Sequence, residues 1–153
     1  MVTAGFSFGP TKLSFRRAVN KKTMKQLEKQ VNRLLKTVEQ DNEILAIFLF
    51  GSIARDNHYK GSDVDICLVM RPGFYTSLAL SEKKLSYLNL FDMDIQIFQQ
   101  LPLYIRIRVI KEGKILYCKD EDQLYEIAFR TIREFGDFEH VYRDYLKEVL
   151  SGR

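Results

Sequence analysis

The sequence is poor in cysteine, in long hydrophobic runs and, over its first 24 residues, in acids. Cys67 and Cys118 are isolated from each other, which argues against a disulfide framework and against a zinc site. The longest apolar run, Ile44–Phe50, is far shorter than the about 20 residues that a membrane span needs. No secretory signal pattern is visible, so the sequence predicts a protein of the reducing cytoplasm with no membrane contact.

The overall composition is that of a globular protein. Of the 153 residues, 46% are hydrophobic and 29% are charged, which excludes a wholly disordered chain and a fibrous repeat. A chain of this length is about one domain and can bury roughly 70% of its unfolded surface. It therefore needs neither a disulfide nor a structural metal to hold a core.

The positive charge is concentrated at the N-terminus. Residues 1–24 hold five basic side chains and no acid, which leaves the rest of the chain at −1 of the total of +4. This asymmetry predicts a flexible basic arm over residues 1–23, followed by one domain over residues 24–153. The arm is either a solvated tail or a contact for RNA or an acidic partner, and we expect no direct nucleic-acid binding elsewhere.

Hydrophobic periodicity predicts alternating helices and strands. The four expected strands are Ile44–Phe50, Val64–Met70, Phe91–Phe98 and Ile115–Tyr117. The expected helices run from an N-cap at Thr23 to Gln40, over residues 75–90, over Tyr104–Glu112 with Gly113 ending the helix, and from an N-cap at Asp120 to Leu150 with a kink or break at Gly136. This order predicts one α/β (α+β) domain built on a mixed sheet of about four strands with flanking helices.

Acidic residues mark the beginnings of two predicted strands. Asp63 and Asp65 are two apart on a strand and therefore share a face, where their carboxylates can converge on Mg²⁺. The alternative is a pair of solvated acids, because so short a motif also matches by chance. Asp94 stands in the third strand with Asp92 two residues before it, and either of them can supply a third carboxylate.

Topology brings these acids together. If the first two strands are antiparallel neighbours and the second and third are parallel, Asp94 lies beside Asp63 and Asp65, and Ser52 lies next to them. A metal pair about 3.5–4 Å apart would remove the repulsion between the carboxylates and clamp a phosphoryl displacement. Gly51 and Ser52, at the end of the first strand, offer close backbone approach and a hydroxyl to a phosphate.

The pattern Gly51-Ser52, ten residues, then Asp63-Val64-Asp65 resembles the polymerase-β-like nucleotidyltransferase superfamily, and specifically its minimal nucleotidyltransferase branch. The segments GSIARDNHYKGSDVDICLV and MDIQIFQQLPLYIRIRVIKEGKILY resemble the core of that family. The resemblance implies Mg²⁺ ligation by Asp63, Asp65 and Asp94, and binding of the ATP triphosphate by Gly51, Ser52, Ser62 and Arg55. Asp56 stands where family members often carry glycine, a departure that does not fall on a ligand position.

The minimal members resemble the antitoxin half of two-gene systems whose other half is a HEPN-type ribonuclease toxin. The resemblance therefore implies a protein adenylyltransferase that moves AMP from ATP to a tyrosine of that toxin. Two alternatives stay open: a non-catalytic antitoxin that masks its partner, and a nucleotidyltransferase that acts on a small-molecule hydroxyl.

Overall fold

The computed structural model describes residues 21–50 and 65–152. The helices are α1 (Lys21–Gln40), α2 (Ser77–Leu90), α3 (Leu103–Glu112) and α4 (Glu121–Ser151), and a single 3₁₀ turn spans Phe98–Gln100. The strands are β1 (Ile44–Phe50), β2 (Asp65–Met70), β3 (Asp94–Ile97) and β4 (Lys114–Cys118). These elements follow the order that hydrophobic periodicity predicts.

The four strands form one mixed sheet in the order β3-β2-β1-β4. Strand β1 is antiparallel to both β2 and β4, whereas β2 and β3 are parallel and are connected through α2. The predicted mixed α/β fold and both predicted strand pairings are therefore confirmed. We call the end of the sheet where β1 finishes and where β2 and β3 begin the site edge, and the opposite end of the strands the far edge.

Both faces of the sheet are covered by helices, which explains why β1 is a continuous apolar run. Ile47 and Leu49 point into a cluster shared with α1 and α2, while Ala46 and Phe48 point into a second cluster shared with α3 and α4. Each fully buried aliphatic side chain of this kind contributes about 2 kcal/mol. The two clusters fix the sheet between the helices and so hold the strand starts in place.

Local signals set the ends of the helices. The hydroxyl of Thr76 accepts a hydrogen bond from the N–H of Ala79 at 3.0 Å, and the carboxylate of Asp120 accepts one from the N–H of Gln123 at 3.2 Å. At the end of α3, a Cβ on Gly113 would lie 2.5 Å from the carbonyl oxygen of Val109. Glycine is therefore required there, and its position as the end of that helix is confirmed.

Three differences from the sequence predictions are larger than the shifts of one or two residues at the other element ends. Helix α1 already includes Lys21, so Thr23 lies inside the helix and does not cap it, because lysines are good helix formers that extend it upstream. Strand β3 is shorter than Phe91–Phe98, because the N–H of Phe91 still donates to the carbonyl of Tyr87 and ends α2. Helix α4 runs unbroken through Gly136, where no packed neighbour forces a bend.

No helix in residues 21–50 and 65–152 combines the length and the apolar character that a bilayer crossing needs.

Candidate active site

Two acidic residues face each other at the site edge. Asp65 is the first residue of β2, Asp94 is the first residue of β3, and the parallel register pairs them directly. Neighbouring strands place paired Cα atoms about 4.8 Å apart. The predicted meeting of these two acids therefore occurs, and the backbone register produces it.

The two side chains lie on the same face of the sheet. Side chains alternate along a strand, so Asp65 shares its face with Cys67 and Val69, which are buried in the cluster under α3 and α4. Asp65 is partly exposed and Asp94 is exposed. The apolar face of the sheet thus ends in a pair of carboxylates that water and a ligand can reach.

A second pair of polar residues supports Asp94. The amide nitrogen Nε2 of Gln96 donates to Oδ1 of Asp94 at 3.3 Å, and Oε1 of Gln96 accepts from Nζ of Lys84 at 3.1 Å. These two hydrogen bonds connect Lys84 of α2 through Gln96 to Asp94, and they orient the Asp94 carboxylate. Sequence reasoning did not assign Gln96 a role, although its spacing from Asp94 on a strand already puts both on one face.

The structure distinguishes the two candidate third acids by position. Asp92 precedes β3, is exposed, and its backbone N–H donates to Oε1 of Gln30 on α1 at 3.2 Å. Asp94 lies inside the strand and is the residue in register with Asp65. Geometry therefore favours Asp94 as the partner of Asp65 at this edge.

The other residues predicted for the site lie outside the described residues: Gly51, Ser52, Arg55, Ser62 and Asp63. The described chain leads directly to them, because β1 ends at Phe50 and Phe50 pairs with Asp65. Within residues 21–50 and 65–152, no three His, Cys, Asp or Glu residues form a group that could hold a metal. The described part of the site therefore contributes two of the three predicted carboxylates.

The donor set suits a hard divalent cation. Two carboxylates on adjacent strands repel each other, and carboxylate oxygens are the ligands that Mg²⁺ accepts beside water and substrate phosphates. Cys67, two residues along β2 from Asp65, offers no competing thiolate, since complete burial raises the pKa of its thiol. The edge is thus an oxygen site that fits magnesium and phosphate chemistry.

The acid at the far edge has a different environment. Asp41, just before β1, accepts hydrogen bonds from Nζ of Lys83 at 2.9 Å and from the hydroxyl of Tyr87 at 2.8 Å. Burial opposes its ionisation, but these donors and the N–H of Glu43 outweigh burial and lower the pKa of Asp41. This carboxylate ties the turn between α1 and β1 to α2.

The fold and the paired acids together define a class. A mixed sheet with carboxylates at the starts of two parallel strands is the architecture of the polymerase-β-like nucleotidyltransferases, as the sequence resemblance implies. Residues 32–122 match the family model described as "Polymerase beta, Nucleotidyltransferase". The chain therefore belongs to the polymerase beta nucleotidyltransferase family, and the predicted family membership is confirmed.

A curated relative agrees with this assignment. The chain is 32% identical over 117 residues to the candidate protein adenylyltransferase MJ1547 of Methanocaldococcus jannaschii, an alignment that covers 73% of this chain and 80% of that protein.

Solved structures share the fold. One is a toxin–antitoxin crystal structure with AMP-PNP, with a TM-score of 0.56 and 23% identity over 78% of this chain and 97% of the other. Another is the tri-AMPylated HEPN toxin of Shewanella oneidensis in complex with its MNT antitoxin, with a TM-score of 0.54 and 21% identity over 80% of this chain and 98% of the other.

Proposed function

We propose that this protein is a Mg²⁺-dependent protein adenylyltransferase antitoxin. It transfers AMP from ATP to a tyrosine hydroxyl of a HEPN-type ribonuclease toxin and thereby neutralises the toxin. Residues 24–153 form the transferase domain, which includes the whole family match over 32–122. Residues 1–23, the predicted basic arm, lie outside that match, although the last three of them belong to α1.

One observation carries the proposal: Asp65 and Asp94 are paired in register at the site edge, where Asp94 is exposed and Asp65 is partly exposed. Two further findings support it. The M. jannaschii relative bears the name of a protein adenylyltransferase, and the S. oneidensis neighbour is an antitoxin bound to an AMPylated toxin. Together they favour a protein acceptor over a small-molecule hydroxyl.

The residues divide the work of the reaction. Asp63, Asp65 and Asp94 would hold Mg²⁺, which when bound supplies charge neutralisation at the phosphates. Gly51, Ser52, Arg55 and Ser62 would bind the triphosphate, with the glycine allowing close backbone approach. Asp94, whose carboxylate accepts a hydrogen bond from Gln96, would also take the proton of the attacking hydroxyl.

AMP transfer is a single displacement at the α-phosphorus of ATP. The tyrosine oxygen attacks the α-phosphorus of ATP, and the bond from that phosphorus to the bridging oxygen of pyrophosphate breaks. The proton of the hydroxyl passes to Asp94 or to water. The products are a tyrosyl–AMP phosphodiester and pyrophosphate.

The decisive experiment compares Asp94→Asn with Asp92→Asn, a matched pair of exposed acids two residues apart. The native chain, ATP labelled in the α-phosphate, Mg²⁺ and the HEPN-type protein encoded by the adjacent gene should give a labelled partner. We expect Asp94→Asn to lose transfer and Asp92→Asn to keep it. Loss of label from EDTA-treated samples tests the metal, and its return on adding Mg²⁺ is the control.

The same assay separates the alternatives. If the native chain blocks the partner's RNA cleavage but transfers no label, and the Asp65→Asn, Asp94→Asn double variant blocks it equally well, the protein masks its partner and the transferase proposal is wrong. If label appears on a small hydroxyl compound and not on the folded partner, the acceptor assignment is wrong.

A further inference from the structure

The longest element of the fold lies only half on the body. The first half of α4 is packed, with Leu124, Ile127 and Thr131 buried. Beyond Phe135 every described residue is exposed, as far as Gly152. We call residues 136–152 the α4 arm. The ion pair between Glu134 and Arg106 of α3, at 3.5 Å, stands just before it.

The packed face of α4 continues onto the arm as an exposed apolar stripe. At about 100° per residue, the face that buries Ile127 and Thr131 also carries five large side chains further along. Between 37% and 65% of their surface is exposed, and they are Phe138, Val141, Tyr142, Tyr145 and Val149. The rings of Phe138 and Tyr142 stack, with centroids 6.0 Å apart. Such a stripe is the mark of a helix built to be covered.

The stripe is too wide for a narrow two-stranded seam. Leu146 and Leu150 extend it on one side, so the apolar face spans more than 100° of the helix surface. A face of this width fits into a groove between helices rather than against a single partner helix.

The charge beside the stripe selects the occupant. Asp137, Asp144 and Glu148 all fall on the same flank, and each is exposed. Asp144 also lies 3.4 Å from Nε2 of His140. A helical partner with basic residues at the rim of its groove would complement this flank.

A second copy of this chain fits less well. In an antiparallel pair of arms the same flanks meet, so three carboxylates would face three carboxylates. In a parallel pair the acidic flank would meet Glu139 and Arg143, of which one repels and one attracts. Neither arrangement neutralises the flank.

We infer that the α4 arm is the surface by which this protein holds its protein acceptor: the apolar stripe enters a groove between two helices of the HEPN-type partner, and the acidic flank meets basic residues at the rim of that groove. The inference rests on the proposed function for the identity of the partner. It separates holding the partner, which the arm does, from transferring AMP, which the site edge does.

The test measures binding and chemistry separately in the full-length chain. The partner is the HEPN-type protein of the adjacent gene, and affinity is measured by titration calorimetry. Tyr142→Ala with Tyr145→Ala should weaken the complex at least about tenfold, because exposed aromatic residues at the centre of an interface are typical hot spots. The matched control is Lys147→Ala, on the opposite side of the same arm, which should bind like the parent.

A charge reversal tests the flank. Asp137→Lys with Asp144→Lys should slow association and weaken the complex, most strongly at low salt. Binding of an ATP analogue to each variant should stay at the parental level, because the variants lie on the arm and not at the site edge. Circular dichroism confirms that the exposed substitutions leave the fold intact.

Each outcome decides the inference. Equal partner affinity for stripe variant and parent overturns it. A stripe-dependent dimer of the chain alone, seen by sedimentation, also overturns it. Stripe-dependent binding without any transfer of label by the parent upholds the docking surface and rejects the proposed chemistry.

Discussion

The two edges of the sheet use the same residue type for opposite purposes. At the far edge, Asp41 forms an ion pair with Lys83 and accepts a hydrogen bond from Tyr87, so its charge is balanced within the protein. At the site edge, Asp65 and Asp94 are paired with each other by the strand register, so that two like charges stand together. The first acid stabilises the fold, and the second pair stores electrostatic repulsion that a bound cation would relieve.

The largest expected effect is on catalysis at the site edge. Asp65→Asn should lower the rate of AMP transfer at least about 1,000-fold, because a metal clamp supplies several kcal/mol of transition-state stabilisation. Asp41→Asn is the control. At temperatures where this variant is folded, its rate of AMP transfer should stay within about twofold of the parental rate. Label transfer in single-turnover conditions measures both. An unchanged rate in Asp65→Asn would contradict the comparison.

The next effect is on stability at the far edge. Asp41→Ala removes the acceptor of the hydrogen bonds from Lys83 and Tyr87, and we expect a loss of about 2 kcal/mol in the free energy of unfolding. Asp92→Ala is the exposed counterpart and should change it by less than about 0.5 kcal/mol. Urea unfolding at neutral pH measures both, and equal losses would remove the distinction.

Acid should weaken the parent through Asp41. The pKa of Asp41 is lowered in the folded protein, so its contribution is present above the unfolded pKa near 3.8 and is lost as the pH falls through the folded pKa. The parent should therefore lose more stability than Asp41→Asn between pH 5 and the lowest accessible pH. Urea midpoints across this window provide the measurement, and parallel curves for the two proteins would count against the assignment.

The smallest effect is a gain. Asp94→Asn should raise the stability of the metal-free protein by about 0.3–0.5 kcal/mol, because it removes one of two adjacent carboxylates. Adding Mg²⁺ should raise the melting temperature of the parent and leave that of Asp94→Asn nearly unchanged. Thermal unfolding with and without Mg²⁺ tests this, with Ca²⁺-free buffer as the common reference. A destabilised Asp94→Asn would show that the two acids do not repel.

Much of the fold could be predicted because its signals are local. The run ILAIFLF identifies β1, and alternation in DIQI identifies β3. Asp120 and Gly113 mark helix ends by chemistry that depends on the nearest few residues. The pairing of Asp65 with Asp94 was also predictable, since antiparallel and parallel connections leave few arrangements for three consecutive strands.

What could not be predicted depends on distant residues. Lys83 reaches Asp41 across 42 positions of sequence, and no local pattern marks that contact. On α2 the residues that become buried are Leu80 and Tyr87, whereas Leu78 and Leu85 are more than half exposed. The sheet decides which side of the helix it covers. Of the predicted site, only Asp65 and Asp94 fall among residues 21–50 and 65–152, so the triphosphate ligands remain predictions.

Because α4 continues through Gly136 without a bend, the inner half of the helix fixes the direction of the α4 arm and the side to which its apolar stripe faces. Each residue adds about 1.5 Å of reach and about 100° of rotation. The number of residues between Thr131 and Tyr145 therefore sets how far from the site edge a bound partner is held and which of its sides faces that edge. A change in that spacing would reorient the bound partner without removing any of the residues that contact it.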